Sequence, residues 1–505
     1  MQRMTMTNTV IDLFEFVSYS WENSKELKAI STQKEFSDDL EEVLNVVWRD
    51  RKRFIPFLNK YFESQFTKQR FIDFRKNEIV PRNWIGTIQF RSRGKKYVIN
   101  LLPKIFHLKD HSYTEEERSS IFAHILWWLG VSEMQSYTTQ SNTMESLNSD
   151  LLEVFAYLFS TFTLDVFTSN AYHYFEESYE EIETVRGRID FTKYTNNYAK
   201  GNRHVVPCIF DSLQYDNQFN RIVKYVATLV KDSTRNQITK NKISEILFIL
   251  DEVELTAVTA SDCDKVTLNP IFIEFITILD YCKLILSSLS VYKWKDDYSV
   301  FALLIPSEKL FENLILATLK RSPPLNVKTV GRKRPGRLNL VLQMPDNIER
   351  YKMINDIVIE FEDENYLLLD TKYKIIYDFT NFEFEDVSPF YSVSQADIYQ
   401  MISYAIGSGI TDLALIFPNH LEESKPFPKN FYKIRDELSQ KDIRIHPFFV
   451  DIISDNGLRL NIDGRLGTIF KSANEELLNQ LHNAIDKIRK RSQDSASDNQ
   501  LNLQA

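Results

Sequence analysis

The sequence is poor in the residues on which several common classes of site depend. It has only 12 glycines and three cysteines among 505 residues. The pattern G-x-x-x-x-G-K-[S/T], a glycine-rich loop that binds nucleotide phosphates, is absent, so we expect this chain to bind no nucleotide by itself. The cysteines, Cys208, Cys263 and Cys282, are far apart, which argues against a disulfide framework or a zinc site and favours a reducing compartment.

Long apolar runs are missing as well. The best candidate, residues 270–292, is interrupted by Glu274, Asp280 and Lys283 and falls short of the ~18 uninterrupted apolar residues that a membrane span needs. The first residues lack the apolar core of a signal peptide. We therefore expect a cytoplasmic protein with no membrane partner.

Acidic residues outnumber basic ones, and the net charge of −9 counts mildly against nucleic acid as a partner. The local distribution points the other way, because residues 313–345 contain no acidic residue at all. A solvated basic loop is the simpler interpretation of this stretch. Since lysine and arginine supply the affinity for a phosphate backbone, we predict that it contacts DNA through Lys328, Arg332, Lys333, Arg334 and Arg337.

A predicted β-hairpin at residues 353–374 organises the rest of the chain. The polar residues 362–365 supply its turn, and Asp356 of the first strand is expected to lie beside Asp370 of the second. Lys372 shares a strand face with Asp370, because side chains alternate along a strand. Two carboxylates with the Thr371 carbonyl are oxygen ligands suited to Mg²⁺, or alternatively Mn²⁺, and the lysine can orient an attacking water.

Two predicted helices flank this hairpin. One begins at Ser307 and carries Glu312, with apolar residues at core-facing spacing. The other covers residues 394–405 and places Asp397, Gln400 and Tyr404 on one face.

The hairpin resembles the nuclease core known as PD-(D/E)xK, with Asn355-Asp356 in place of Pro-Asp and Asp370-Thr-Lys372 as the second element. A literal Pro345-Asp346 lies upstream, but Asp356 starts the strand that pairs with the Asp370 strand. By this resemblance Glu312 matches a helix acid that assists the metal site. Gln400-x-x-x-Tyr404 is similar to an additional motif of RecB-like nucleases and is expected to orient the lysine or a phosphate.

Further motifs extend the resemblance over roughly residues 84–450. They are a predicted hairpin at 84–106 ending in Leu-Leu-Pro-Lys, Arg186-Gly-Arg-Ile-Asp190, and Asp216 with Asn220. Together with the nuclease motifs they resemble McrC, the nuclease subunit of modification-dependent (5-methylcytosine) McrBC restriction systems. The resemblance implies an AAA+ GTPase partner of the McrB type, a hexameric ring that McrC caps and stimulates. By implication Arg93, Lys95, Arg186 and Arg188 contact that partner, although bracing of the fold is the default role for the last two.

We accordingly predict a multidomain α+β or α/β chain of four parts. These are a β-containing N-terminal region with the hairpin (1–110), a mainly helical middle domain (111–300), a restriction-endonuclease-like PD-(D/E)xK α/β domain (301–490) and a disordered tail (491–505). The predicted function is a Mg²⁺-dependent DNA endonuclease subunit that cuts DNA with, and stimulates, a GTPase. Two alternatives remain: a ring-capping regulator without essential cleavage, and a stand-alone DNA repair nuclease.

Overall fold

The computed structural model divides the chain into two compact units. Unit 1 comprises Met1–Asn45, Lys68–Leu151 and Leu304–Ala505, and unit 2 comprises Val46–Thr67 and Leu152–Leu303. The described residues are 9–28, 30, 33–51, 68–92, 95–132, 151–169, 172, 174–234, 236–268, 273–294, 298–332, 340–343, 348–352, 355–375, 393–421, 428, 431–436, 441–454 and 466–502.

The strands follow in chain order. They are β1 Thr9–Phe14, β2 Tyr19–Ser20, β3 Ile72–Phe74, β4 Glu78–Pro81, β5 Trp84–Ser92, β6 Lys95–Leu102, β7 Tyr174–Ile182, β8 Arg188–Ile189, β9 Val206–Gln214, β10 Leu289–Trp294, β11 Tyr298–Pro306, β12 Val327–Gly331, β13 Leu340–Gln343, β14 Ile348–Lys352, β15 Ile357–Phe361, β16 Tyr366–Thr371, β17 Asp412–Pro418, β18 Tyr432–Asp436 and β19 Lys441–Val450.

The helices are also numbered in chain order. They are α1 Gln33–Arg51, α2 Glu115–Ser132, α3 Leu151–Ser169, α4 Phe191–Ala199, α5 Gln218–Ser233, α6 Gln237–Ile249, α7 Ala260–Cys263, α8 Ile273–Ser288, α9 Ser307–Arg321, α10 Gln395–Ser408 and α11 Leu466–Asn502, with a short 3-10 helix at Lys104–Phe106. None of the helices in the described ranges is both long enough and apolar enough to span a membrane.

Unit 1 contains the sheet on which the predicted nuclease motifs lie. Its strand order is β12-β15-β16-β17-β19-β18. Strand β16 pairs antiparallel with β15 and parallel with β17, and β17 pairs parallel with β19. All residues of β15 are buried, as expected for a strand inside a sheet that is covered on both faces.

Helix α10 covers one face of this sheet. Met401 and Ala405 pack with Val358, Leu368 and Leu413 in one buried apolar cluster. The helix begins at Ser394, whose hydroxyl accepts from the Asp397 amide at 3.2 Å, an ordinary N-cap. It ends at Gly409, whose φ of 67° is the usual left-handed helix terminus.

A second sheet region of unit 1 is built by the N-terminal part of the chain. Strand β1 pairs parallel with β6, and β6 pairs antiparallel with β5, which confirms the hairpin predicted at 84–106. Apolar residues at helical spacing from Phe36 onward predict a helix to about Phe74. This prediction is wrong at its end, because Ile72–Phe74 is β3 and pairs with β4.

Unit 2 contains helices α3 to α8 and the three-stranded sheet β7-β9-β8. The sequence predicts a loop at residues 206–211 between helices, but this is wrong, because Val206–Gln214 forms β9 and pairs along its full length with β7. The sequence offers Asp216 or Asn217 as the cap of the following helix, and Asn217 caps α5 by accepting from the Asn220 amide at 3.0 Å.

The division into two units differs from the four parts predicted. Of the residues expected to form a separate N-terminal region, 1–45 and 68–110 join residues 304–505 in unit 1, because they make contacts with residues far away in the sequence. For example, the Leu421 amide donates to the Ile105 carbonyl at 3.0 Å. The tail predicted as disordered from residue 491 also differs, since α11 continues to Asn502. There the Ser492 hydroxyl donates to Asp412 at 2.6 Å.

Candidate functional site

The hairpin β15–β16 brings the two predicted carboxylates together. Ile357 lies opposite Leu369, so continuing the same register by one residue places Asp356 opposite Asp370. Asp356 Oδ2 accepts from the backbone N–H and from the hydroxyl of Thr371, both at 2.8 Å. These two bonds fix the carboxylate of Asp356 at the end of β16.

Lys372 joins the same group. Its Nζ lies 2.6 Å from Asp370 Oδ2 and donates to Gln400 Oε1 at 2.8 Å. Gln400 Nε2 in turn donates to the Tyr404 hydroxyl at 2.7 Å. The structure therefore brings together the five predicted catalytic side chains, with α10 supplying Gln400, which bonds the lysine, and Tyr404, which bonds Gln400.

Asp356 and Asp370 together carry more negative charge than the ammonium group of Lys372 can balance. Burial, followed by the charge of Asp356, raises the pKa of Asp370 to about 7, against the opposing effect of Lys372. Burial and then the charge of Glu312 raise the pKa of Asp356. Burial acts to lower the pKa of Lys372, but Asp370 outweighs it and the pKa is raised. The lysine is therefore a cation at neutral pH.

Asp397 and Lys374 form a separate ion pair at the start of α10. Lys374 Nζ donates to both carboxylate oxygens of Asp397, at 2.8 and 2.9 Å. Burial opposes ionisation of Asp397, but the bonds from Lys374 and Ser394 lower its pKa. This pair ties the segment after β16 to the helix that carries Gln400.

Glu312 is placed near the pair but has its own partners. It accepts from Lys309 at 2.7 Å and from Arg332. Across the described ranges of the chain, no group of three or more His, Cys, Asp or Glu side chains is arranged to hold a metal ion. The oxygen ligands available at the site are therefore the two aspartates and, from the sequence, the Thr371 carbonyl.

The predicted DNA contacts are only partly described. Lys328 pairs with Glu360 at 2.8 Å, and its side chain is 59% exposed. Arg332 pairs with Glu312 and donates to Asn313 Oδ1 at 3.1 Å. The prediction treated these two as free cations, whereas each is held by an acid of unit 1. Lys333, Arg334 and Arg337, like the alternative Pro345-Asp346, lie outside the described residues.

Of the predicted partner contacts, Arg186 and Arg188 lie in unit 2. Arg188 belongs to β8 and pairs with Ile209, while the Arg186 guanidinium lies 4.5 Å from the centroid of the Phe210 ring. Gly187 between them has a φ of +66°, so the side chains of Arg186 and Arg188 do not follow the alternation of a continuous extended strand. Lys95 opens β6 opposite Ser92, and Arg93 lies outside the described residues.

Sequence reasoning missed a second buried polar group. Glu15, Lys104, Ser307 and Tyr373 meet inside unit 1, next to the segment that carries Lys372. The sequence does contain a signal for this group. Lysine is rarely buried, so its position directly after the apolar run of β6 and a proline is unusual.

Comparisons with known proteins agree with the motifs. The model of the family described as "McrBC 5-methylcytosine restriction system component" matches residues 79–418. No curated protein matches the chain significantly.

Two solved structures are similar to the chain, both from Thermococcus gammatolerans. One is described as a refined half-complex from a tetradecameric assembly of McrB AAA+ hexamers with bound McrC. It has a TM-score of 0.55 at 16% identity and covers 94% of this chain and 100% of its own. The other, a cryo-EM structure of the McrBC complex, has a TM-score of 0.43 at 18% identity and covers 62% of this chain and 88% of its own. The first shows that the fold is shared. With a family match over more than half of its length, the chain belongs to the McrBC 5-methylcytosine restriction system component family.

Proposed function

We propose that this chain is the Mg²⁺-dependent DNA endonuclease subunit of a McrBC-like restriction system, acting in the cytoplasm with a partner AAA+ GTPase that it stimulates. The proposed nuclease activity rests on one arrangement of side chains: Asp356 lies opposite Asp370, and the ammonium nitrogen of Lys372 lies 2.6 Å from the Asp370 carboxylate. Together with helices α9 and α10, this arrangement supports a PD-(D/E)xK domain in unit 1. Family membership and the McrB hexamers in the similar structure support the partner.

The ligands of the site fit a divalent cation. Burial and then repulsion by Asp356 raise the pKa of Asp370, and a bound cation would relieve that repulsion. Mg²⁺ commonly binds through one or two carboxylates and keeps several waters, so Asp356, Asp370 and the Thr371 carbonyl suffice to hold it. Mn²⁺ has the same preference for oxygen. Glu312, paired with Arg332, would act on the pair through its charge. When bound, the ion would polarise the phosphodiester and lower the pKa of a bound water.

The protein's own side chains then orient the reactants. Lys372 supplies a fixed cation beside Asp370, where it can hold the attacking water or a phosphate oxygen. Gln400 directs the ammonium group through its amide oxygen, and Tyr404 fixes the amide of Gln400. Such alignment of reacting groups accounts for a large part of the rate in phosphoryl transfer.

DNA would approach along the basic segment between α9 and β15. Lys328 can exchange its carboxylate partner for a phosphate, because its side chain is 59% exposed and such surface ion pairs contribute little stability. Arg332, 30% exposed beside Glu312, would add positive charge to the path. Lys333, Arg334 and Arg337 would add positive charge to the same path. The partner would bind through Arg93, Lys95, Arg186 and Arg188, and GTP would be bound by the partner alone.

The test is cleavage of modified plasmid DNA by the full chain with partner, GTP and Mg²⁺. Asp370→Asn should reduce cleavage at least about a hundredfold, because it removes a ligand and the partner of Lys372. Asp363→Asn, in the turn of the same hairpin, is the matched control and should cut normally.

Undiminished cleavage by Asp370→Asn would refute the site. Full cleavage without partner or GTP would favour a stand-alone nuclease. Stimulation of the GTPase without any cleavage by the wild type would favour a ring-capping regulator.

A further inference from the structure

A buried polar group connects the N-terminal strands of unit 1 to the backbone of the candidate site. Glu15 directly follows β1 and is 1% exposed, and Lys104 follows β6 and is 9% exposed. One carboxylate oxygen of Glu15 accepts from the Lys104 backbone N–H at 3.2 Å. The other accepts from the hydroxyl of Ser307, the first residue of α9.

The ammonium group of Lys104 is directed at the chain just beyond Lys372. Its Nζ donates to the Tyr373 carbonyl oxygen at 2.6 Å. It also lies 4.4 Å from the centroid of the Tyr373 ring and 4.5 Å from that of Phe16. Carbonyl and ring faces are the kinds of partner that compensate a buried cation. An apolar side chain of similar size could fill this space without the cost of desolvation, so the charge needs an explanation beyond packing.

The Tyr373 carbonyl lies where the backbone leaves the sheet. The Lys372 amide still donates to the Ile416 carbonyl of β17, at 2.8 Å. The next backbone hydrogen bond closes a tight turn, in which the Lys374 amide donates to the Lys372 carbonyl, also at 2.8 Å. The Tyr373–Lys374 peptide is thus held on both sides: its N–H donates to the Lys372 carbonyl, and its carbonyl accepts from Lys104. The side chain of Lys372 meanwhile reaches back to Asp370.

We propose that Lys104 is a positioning residue for Lys372: its ammonium group fixes the Tyr373 peptide and so sets the direction of the catalytic lysine toward Asp370. Glu15 holds Lys104 in place and connects it to the start of α9. The inference rests on the proposed nuclease function. Lys104 does not touch the reacting atoms, so its effect is on the geometry of the site.

The experiment compares Lys104→Met, which keeps the apolar stem, with Lys104→Arg, which keeps the charge. Lys109→Met, at an exposed lysine nearby, is the matched control. The full chain with partner, GTP and Mg²⁺ is assayed for the kcat and KM of DNA cleavage and for GTPase stimulation. Lys104→Met should lower kcat about tenfold or more, with KM and stimulation unchanged, because misplaced supporting groups cost about 10–100-fold. Lys104→Arg should recover part of the rate.

Hydrogen exchange of the amides at 372–374, followed by mass spectrometry, provides a readout that does not depend on activity. Loss of a charged hydrogen bond should speed their exchange about tenfold in Lys104→Met, and exchange in α10 should not change. Unchanged kcat together with unchanged exchange would overturn the proposal. So would an equal loss of kcat, GTPase stimulation and thermal midpoint that the arginine variant does not restore.

A second variant covers the case in which Lys104→Met fails to fold. Glu15→Gln keeps one acceptor oxygen, for the Lys104 amide or for Ser307, replaces the other with a donor NH2 group, and removes the charge that faces Lys104. It should lower kcat and speed exchange at 372–374 to a smaller extent, and wild-type values for both would overturn the proposal. If the wild type itself cuts no DNA, the proposed function fails, and the exchange measurement still decides whether Lys104 fixes this segment.

Discussion

At the scale of single residues, Asp370 is an acid of the candidate site whose ionisation the fold opposes. Burial and the charge of Asp356 raise its pKa to about 7, against about 3.9 for aspartate in an unfolded chain. The folded, metal-free protein therefore holds this proton more tightly than the unfolded chain does. The stability that the proton contributes is present at low pH and is lost as the pH rises from about 4 to about 7.

Asp370→Asn should therefore stabilise the metal-free protein at pH 8, because asparagine cannot ionise. We expect a gain on the order of 1 kcal/mol, since loss of the ion pair with Lys372 offsets part of the effect. Thermal unfolding in EDTA should show that the gain shrinks toward pH 5. Asp363→Asn should show no gain at pH 8, because its bonds to Asn365 and Arg489 outweigh burial and lower the pKa of Asp363. An equal gain for Asp370→Asn at both pH values would contradict this account.

Gln400 and Tyr404 should affect the rate in a fixed order. Gln400→Leu removes the acceptor of the Lys372 ammonium group and should lower kcat about tenfold or more. Tyr404→Phe removes only the partner of Gln400 and should have a smaller effect. Gln395→Leu and Tyr399→Phe, at exposed positions of the same helix, are the matched controls in the cleavage assay. A larger loss from Tyr404→Phe than from Gln400→Leu would contradict the order.

At the scale of elements, much of unit 1 near the site could be predicted from the sequence. The pattern of apolar residues and the turn at 362–365 predict the hairpin, Ser307 predicts the start of α9, and Ser394 predicts the start of α10. These signals are local. The partners of Glu15 and Lys104 could not be predicted, because Ser307 and Tyr373 are far away in the chain. Nor could the pairing of Arg332 with Glu312, which depends on how α9 packs.

The turn between Arg186 and Arg188 is an element that only glycine can form. A Cβ on Gly187 would lie 2.5 Å from the Ile209 carbonyl oxygen, in addition to the positive φ. Gly187→Ala should therefore separate β8 from β9 and speed limited proteolysis near residues 183–190. Gly201→Ala is the control, since Gly201 has a φ of +88° but a Cβ added there would meet no described atom within 4 Å, so only backbone strain remains. Equal susceptibility of the two variants would exclude the steric contribution.

At the scale of the whole molecule, the two units divide the predicted residues between them. The candidate catalytic side chains all lie in unit 1, whereas Arg186 and Arg188 lie in unit 2. If the proposed roles are right, cutting and stimulation of the partner should be separable by mutation.

We expect the double variant Arg186→Ala/Arg188→Ala to lose most of its GTPase stimulation, because its contacts to the partner are removed. Asp370→Asn should stimulate the GTPase as well as the wild type does. Both are measured by GTP hydrolysis of the partner at saturating protein. Lys193→Ala, which removes a neighbouring cation of unit 2, is the control for general loss of charge. Stimulation that survives in the arginine variant would assign those residues the bracing role.

The position of Lys104 in the chain has a consequence for protein synthesis. Its partner Tyr373 lies 269 residues further on. At typical rates of about 5–20 residues per second, the ribosome needs roughly 13–54 s to supply that partner. Throughout this interval Glu15 and Lys104 of the nascent chain lack the later residues with which they are buried. Unit 1 therefore cannot complete its fold until most of the polypeptide has been translated.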